Sequence, residues 1–152
     1  MTHEEKAKAL FAEGYNCSQA VVLAFQEEIG LPTDLLARMA SSLGGGMGRL
    51  REVCGAVSGM FVVCGFLRGY ADPTATAEKA EHYARIQQLA AAFKQELGCN
   101  TIICRELLGA EGKDHNPTPS ERTTAYYRRR PCGELVGVAA RVLENYLQSD
   151  GK

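Results

Sequence analysis

Apolar residues recur every three to four positions through most of this chain, the period of helices with one buried face. Over residues 2–13 the stripe is Ala7, Leu10 and Phe11, with Thr2 placed to cap, acidic residues in the first turn and Gly14 behind. Asn16, a favoured N-cap residue, predicts a second helix running to Gly30 with Cys17 at its first position. Pro32-Thr33-Asp34 opens a short third helix over 35–42, which the glycine-rich GGGMG at 44–48 breaks. The central helix is expected over Val53–Tyr70, where an unbroken apolar run lies behind Cys54 and ends at Arg68. Its glycines, Gly55 and Gly59, fall on one face, and Gly65 and Gly69 repeat the spacing. Glycine inside a helix costs about 1 kcal/mol relative to alanine, so this register predicts close approach of a neighbouring backbone or of a bound group at Gly55 and Gly59.

Further on, Ile86, Leu89, Ala90, Phe93 and Leu97 define a long helix from Thr74 or Thr76 to Leu97, closed by Gly98. His82 on this helix reads as an exposed histidine, since no second histidine stands at metal-ligand spacing. A short helix follows over 102–108. Residues 110–130 carry two prolines and no periodicity, which predicts a long loop. Pro131 opens the last helix, whose core face is Leu135, Val138, Val142, Leu143 and Tyr146. No segment alternates with the period of a strand. The expected fold is a single all-α domain over 1–152, a bundle of about six or seven helices around the buried glycine-containing helix.

The bulk properties exclude more than they identify. With 152 residues, 45% of them hydrophobic, the chain can build one core, and a net charge of −1 offers no general attraction to nucleic acid or anionic membranes. The apolar run at 53–68 is too short for the roughly 20 residues of a membrane span. The charged N-terminus MTHEEKAKAL lacks the apolar core of a secretory signal, so a cytoplasmic location is expected. GGGMG is not followed by the lysine and Ser/Thr of a P-loop, follows no strand and lacks dinucleotide-binding spacing, so a tight turn is the better reading of it. Histidines in separate contexts and dispersed carboxylates suggest neither a triad nor a paired-acid site.

Six cysteines are many for a cytosolic chain, where repeated cysteines serve metal binding or thiol redox chemistry more often than disulfide staples. Cys64, within MFVVCGFL, reads as a core filler. Four others share a placement: Cys17 after the Asn16 cap, Cys54 at the start of the central helix, Cys104 in the first turn after Asn100 or Thr101, and Cys132 after Pro131. All stand at helix N-termini, where unpaired N–H groups favour a thiolate and lower its pKa. Arg49 and Arg51 are placed to add positive charge at Cys54, and Arg128–Arg130 at Cys132. There is no CxxC, so the four can meet only through the fold.

NCSQAV at 16–21, GGGMG at 44–48, CGAVSG at 54–59, CRELLG at 104–109 and Cys132 together resemble the redox-active protein family named for its C, GCAxxG, C, C cysteine pattern. The resemblance runs from about residue 10 to 148, and the central element here reads VCGAVSG, with Val53 before the cysteine and Gly55 between Cys54 and Ala56. It places the family cysteines at Cys17, Cys54, Cys104 and Cys132, leaves Cys64 and Cys99 as extras, and implies a small redox or cofactor-binding protein. Three functions are then expected to compete. The first is thiol-disulfide electron exchange with a partner protein, as an oxidoreductase or an electron-transfer accessory, with no cofactor required. The second is an all-cysteine site for an iron–sulfur cluster or zinc on the same four residues. The third is a non-catalytic helical interaction scaffold. Self-association is open at this level.

Overall fold

The computed structural model describes residues 1–150, Asp150 by its backbone alone; Gly151 and Lys152, the end of the expected domain, lie outside the described residues. Six helices of eight residues or more are found among them: α1 (His3–Ala12), α2 (Cys17–Ala24), α4 (Thr33–Ala40), α6 (Gly55–Arg68), α7 (Thr76–Leu97) and α10 (Cys132–Asp150). Shorter pieces are α3 (Gln26–Ile29), α5 (Gly44–Met47), α8 (Cys104–Leu108) and α9 (Thr124–Arg129). The fold is all-α, as the periodicity requires, and no helix of the described residues is long and apolar enough to cross a membrane.

Capping explains where the first helices begin. Thr2 accepts from Glu5 N–H while the Glu5 side chain reaches back, and Asn16 and Gln19 repeat that reciprocal pair at the start of α2. The predicted helix from Asn16 to Gly30 breaks at Phe25 (φ −106°, ψ 19°), so Gln26–Ile29 forms a separate turn that ends on left-handed Gly30. The chain turns there because Phe25, wholly buried, stacks on His3 with ring centroids 4.1 Å apart.

Helix α2 packs against α1, α4, α6 and α10, and Ala20, Val21, Val22, Leu23 and Ala24 are all buried. Burial of Val21 and Val22 is worth about 1.5–3 kcal/mol each. Helix α6 lies against α2, α7 and α10. A Cβ on Gly59 would stand 2.8 Å from Ser18 O, so the glycine face of α6 seats the first turn of α2. The second pair does not act alike. Gly69 is the C-cap of α6, and a Cβ at Gly65 would meet only His82 Nε2 at an ordinary 3.9 Å.

His82 is buried rather than exposed, at 9% accessibility, with Arg85 Nη1 3.1 Å from Nδ1 and Tyr70 edge-on to its ring. Its ring lies over Gly65 of α6. Residues 110–130 are not wholly loop: a 3-10 turn over Gly109–Lys113 precedes an irregular stretch, and Thr123 caps α9, which buries Tyr126. A six-residue helix with one inward side chain has too few repeats to leave a periodic signal.

Candidate functional site

Two short backbone features bring the helix starts together. Val53 and Ile103 form an isolated antiparallel bridge, in which Cys54 N–H donates to Ile102 O (2.7 Å) and Cys104 N–H to Glu52 O (2.6 Å). The bridge thereby ties the N-terminus of α6 to that of α8. The second feature is the segment 45–51, in which Gly45, Gly46 and Gly48 have positive φ, and so do Met47 (69°), Arg49 (67°) and Arg51 (62°). Each non-glycine residue held there costs on the order of 1–3 kcal/mol, a strain that clusters at functional sites. Glycine is needed at Gly46, where a Cβ would lie 2.6 Å from Cys104 Cβ.

Cys17, Cys54, Cys104 and Cys132 all line one cavity of about 190 Å³. Cys17, Cys104 and Cys132 are the first residues of α2, α8 and α10, and Cys54 is the N-cap of α6. Gly55 also lines the cavity, and a Cβ on it would collide with Cys17 Sγ; Gly59 does not line it, because Ser18 fills that face. Of the two alternatives expected at these glycines, a neighbouring backbone or a bound group, Gly59 meets the backbone of Ser18. Cys64 is buried in the core of α6, and Cys99 Sγ donates to Thr101 O; neither lines the cavity.

Burial reverses the expected ionisation of three thiols. Backbone N–H groups of Gly45, Ser18 and Cys17 do favour a thiolate at Cys17, and those of Val57 and Ala56 do so at Cys54. Desolvation outweighs them, aided by mutual repulsion, so that Cys17 is raised and Cys54 is raised well above the ordinary thiol range. Burial pushes Cys132 up to about 12, against the opposing charges of Arg130 and Arg122. Cys17, Cys54 and Cys132 are thus neutral thiols at pH 7. Cys17 and Cys132 each interact with all three of the other cavity thiols, and Cys104 is the thiol that acts most on Cys17.

The arginines were only partly legible. Arg51 serves Cys104 instead of Cys54: it is 1% exposed, its Nη1 donates to Cys104 Sγ at 3.7 Å and its Nε to Asp114 O at 2.9 Å. Arg130 is buried beside Cys132, whereas Arg128 and Arg129 stay exposed. Arg122 joins the cavity wall, donating to Phe11 O and Tyr15 O and stacking over Phe11 at 4.1 Å. Nothing in its sequence context marks it, because its partners lie more than 100 positions away. Arg49 holds the outer segment, donating to Asn116 O (2.5 Å) and pairing with Asp114 (2.9 Å), so that Pro119 and Ser120 close one side.

The family profile described as "Putative redox-active protein (C_GCAxxG_C_C)" matches residues 15–146. The chain belongs to the C_GCAxxG_C_C family. That match spans all four cavity cysteines and both backbone features that gather them. No curated protein and no solved structure matches the chain. In this C_GCAxxG_C_C protein, no three of the Cys, His, Asp and Glu side chains among the described residues are grouped so as to hold one metal ion. The four sulfurs share a cavity without being drawn together as ligands of one centre.

Proposed function

We propose that this protein carries electrons by thiol-disulfide exchange with a partner, through Cys17, Cys54, Cys104 and Cys132. The observation that supports it most is the convergence of four thiols, none of them in a disulfide, on one small cavity. Cys104 is the attacking sulfur, since among the described residues it is the one of the four to which a guanidinium donates. As a thiolate it attacks the partner's disulfide, and one partner sulfur leaves and takes a proton. Cys17, whose foremost charge interaction is with Cys104, loses its proton, attacks Cys104 Sγ and releases the second partner thiol. Two thiols become one disulfide here and the partner's disulfide becomes two thiols, with two electrons and two protons transferred. Such chemistry suits either an oxidoreductase or an accessory to one, and it needs no bound cofactor.

The test is a trapping experiment on the reduced protein with an aromatic disulfide as oxidant. Cys17→Ser should accumulate a stable mixed disulfide on Cys104, while the parent passes to an internal disulfide. Absence of adduct and of internal disulfide in both proteins would overturn the proposal. The all-cysteine metal or cluster reading would require these sulfurs to move together. Anaerobic purification with iron, zinc and sulfide analysis tests it, and stoichiometric iron with sulfide would replace the dithiol reading. The scaffold reading predicts partner binding indifferent to all four cysteines, and leaves the charged lining of the cavity without a role.

A further inference from the structure

The cavity wall carries four arginines, Arg49, Arg51, Arg122 and Arg130, and no carboxylate. Two of these cations are answered by carboxylates outside the wall: Arg49 by Asp114, and Arg130, at 4.0 Å, by Glu111. Arg51, whose charge also acts on Asp114, and Arg122 donate to carbonyl oxygens, a sulfur and the Tyr127 hydroxyl. Two buried donors are left over. Arg51 Nη2 and Arg130 Nε have no hydrogen-bond partner, although Arg51 is 1% and Arg130 8% exposed. A buried guanidinium N–H without an acceptor is destabilising, so both positions lack an acceptor that this chain does not supply. Neutral thiols at Cys17, Cys54 and Cys132 bring no negative charge to offset the arginines.

We infer that the cavity binds a small inorganic oxyanion, held by Arg51 Nη2 and Arg130 Nε beside Cys104 Sγ. Oxygen acceptors match the guanidinium fork, which a halide or an apolar ligand does not. The volume, about 190 Å³, falls below the roughly 300–1,000 Å³ of sites for drug-sized molecules, which favours a free ion over the phosphate of a larger one. The inference deepens the dithiol reading by naming what occupies the space between the thiols. Binding itself needs only the folded, reduced protein, so the two stand or fall separately.

The experiment is calorimetric titration of the reduced protein with sulfate and with phosphate, in a chloride buffer free of other oxyanions. Thiol exchange with the aromatic disulfide is measured in parallel without the oxyanion, and reports on the dithiol reading alone. The parent should bind one ion saturably. Arg130→Gln and Arg51→Met should each weaken it by about tenfold to a hundredfold, the loss of one charge-assisted bond. Arg38→Gln, on the exposed face of α4, should bind like the parent. Because Arg51 also anchors Asp114 O and Arg51→Met can fail to fold, Arg130→Gln decides on its own. No saturable binding by the parent, or parent-like binding by folded Arg130→Gln, overturns the inference.

Discussion

Replacing Gly55 by alanine tests the geometry that gathers the thiols. In an ordinary helix the change stabilises by about 1 kcal/mol. Here the new methyl would strike Cys17 Sγ, and would lie 2.9 Å from Leu43 O and 3.2 Å from Gly44 Cα. Two of these neighbours are backbone atoms, so they cannot swing aside as a side chain can. Overpacking of this kind costs about 1–3 kcal/mol, which leaves a net loss of about 0–2 kcal/mol after the helix gain. For a chain of this length that lowers Tm by up to about 8 °C. Cys17→Ala in the same background removes the sulfur and leaves the backbone clash, so the double-mutant cycle should return a coupling of about 1 kcal/mol. Thermal unfolding of the four proteins in reductant measures it, with exchange rates alongside. A Gly55→Ala protein more stable than the parent, exchanging at the parent rate, would refute the packing of α6 against Cys17.

Other outcomes follow from the same geometry. Cys104→Ser should abolish exchange or slow it severely, whereas Cys64→Ser, in the core of α6, should cost stability alone, on the order of 1 kcal/mol, by urea unfolding. Because folding raises the pKa of Cys17, Cys54 and Cys132, the stability these thiols contribute is full below the unfolded value near 9 and is lost as pH rises toward about 12 at Cys132. The unfolding free energy of the reduced protein, measured with urea, should therefore fall between pH 9 and 11, by about 1.4 kcal/mol per unit for each thiol that titrates only in the unfolded chain, and less steeply in Cys132→Ser. Arg49→Ala removes the bonds to Asn116 O and Asp114, so hydrogen exchange over residues 114–120 should quicken while α10 stays protected.

Caps and stripes were readable because they are local. Thr2 and Asn16 satisfy their own first turns, Gly98 closes α7, and four cysteines at helix starts could be placed from neighbours within a few residues. What the sequence could not carry was distance across the fold. The bridge between Val53 and Ile103 spans fifty positions and has no strand-length pattern behind it, yet it joins Cys54 to Cys104. Arg51 reads as a partner of Cys54, three positions on, whereas in the fold its left-handed backbone accompanies a side chain that donates to Cys104. Thiol ionisation was misjudged for a related reason: helix N–H groups are visible from the local sequence, whereas desolvation depends on how tightly four separate segments close over the sulfur. His82 likewise reads as exposed because the groups that cover it, Gly65 and Tyr70, lie outside its own helix.

The most direct measurement is disulfide mapping by mass spectrometry after one equivalent of oxidant is added to the reduced, folded protein. Two thiols from the set Cys17, Cys54, Cys104 and Cys132 should disappear into one internal disulfide, Cys17–Cys104 foremost, with Cys64 and Cys99 still alkylatable after unfolding. A first disulfide that uses Cys64 or Cys99, or links two chains in place of two cavity cysteines, would contradict it.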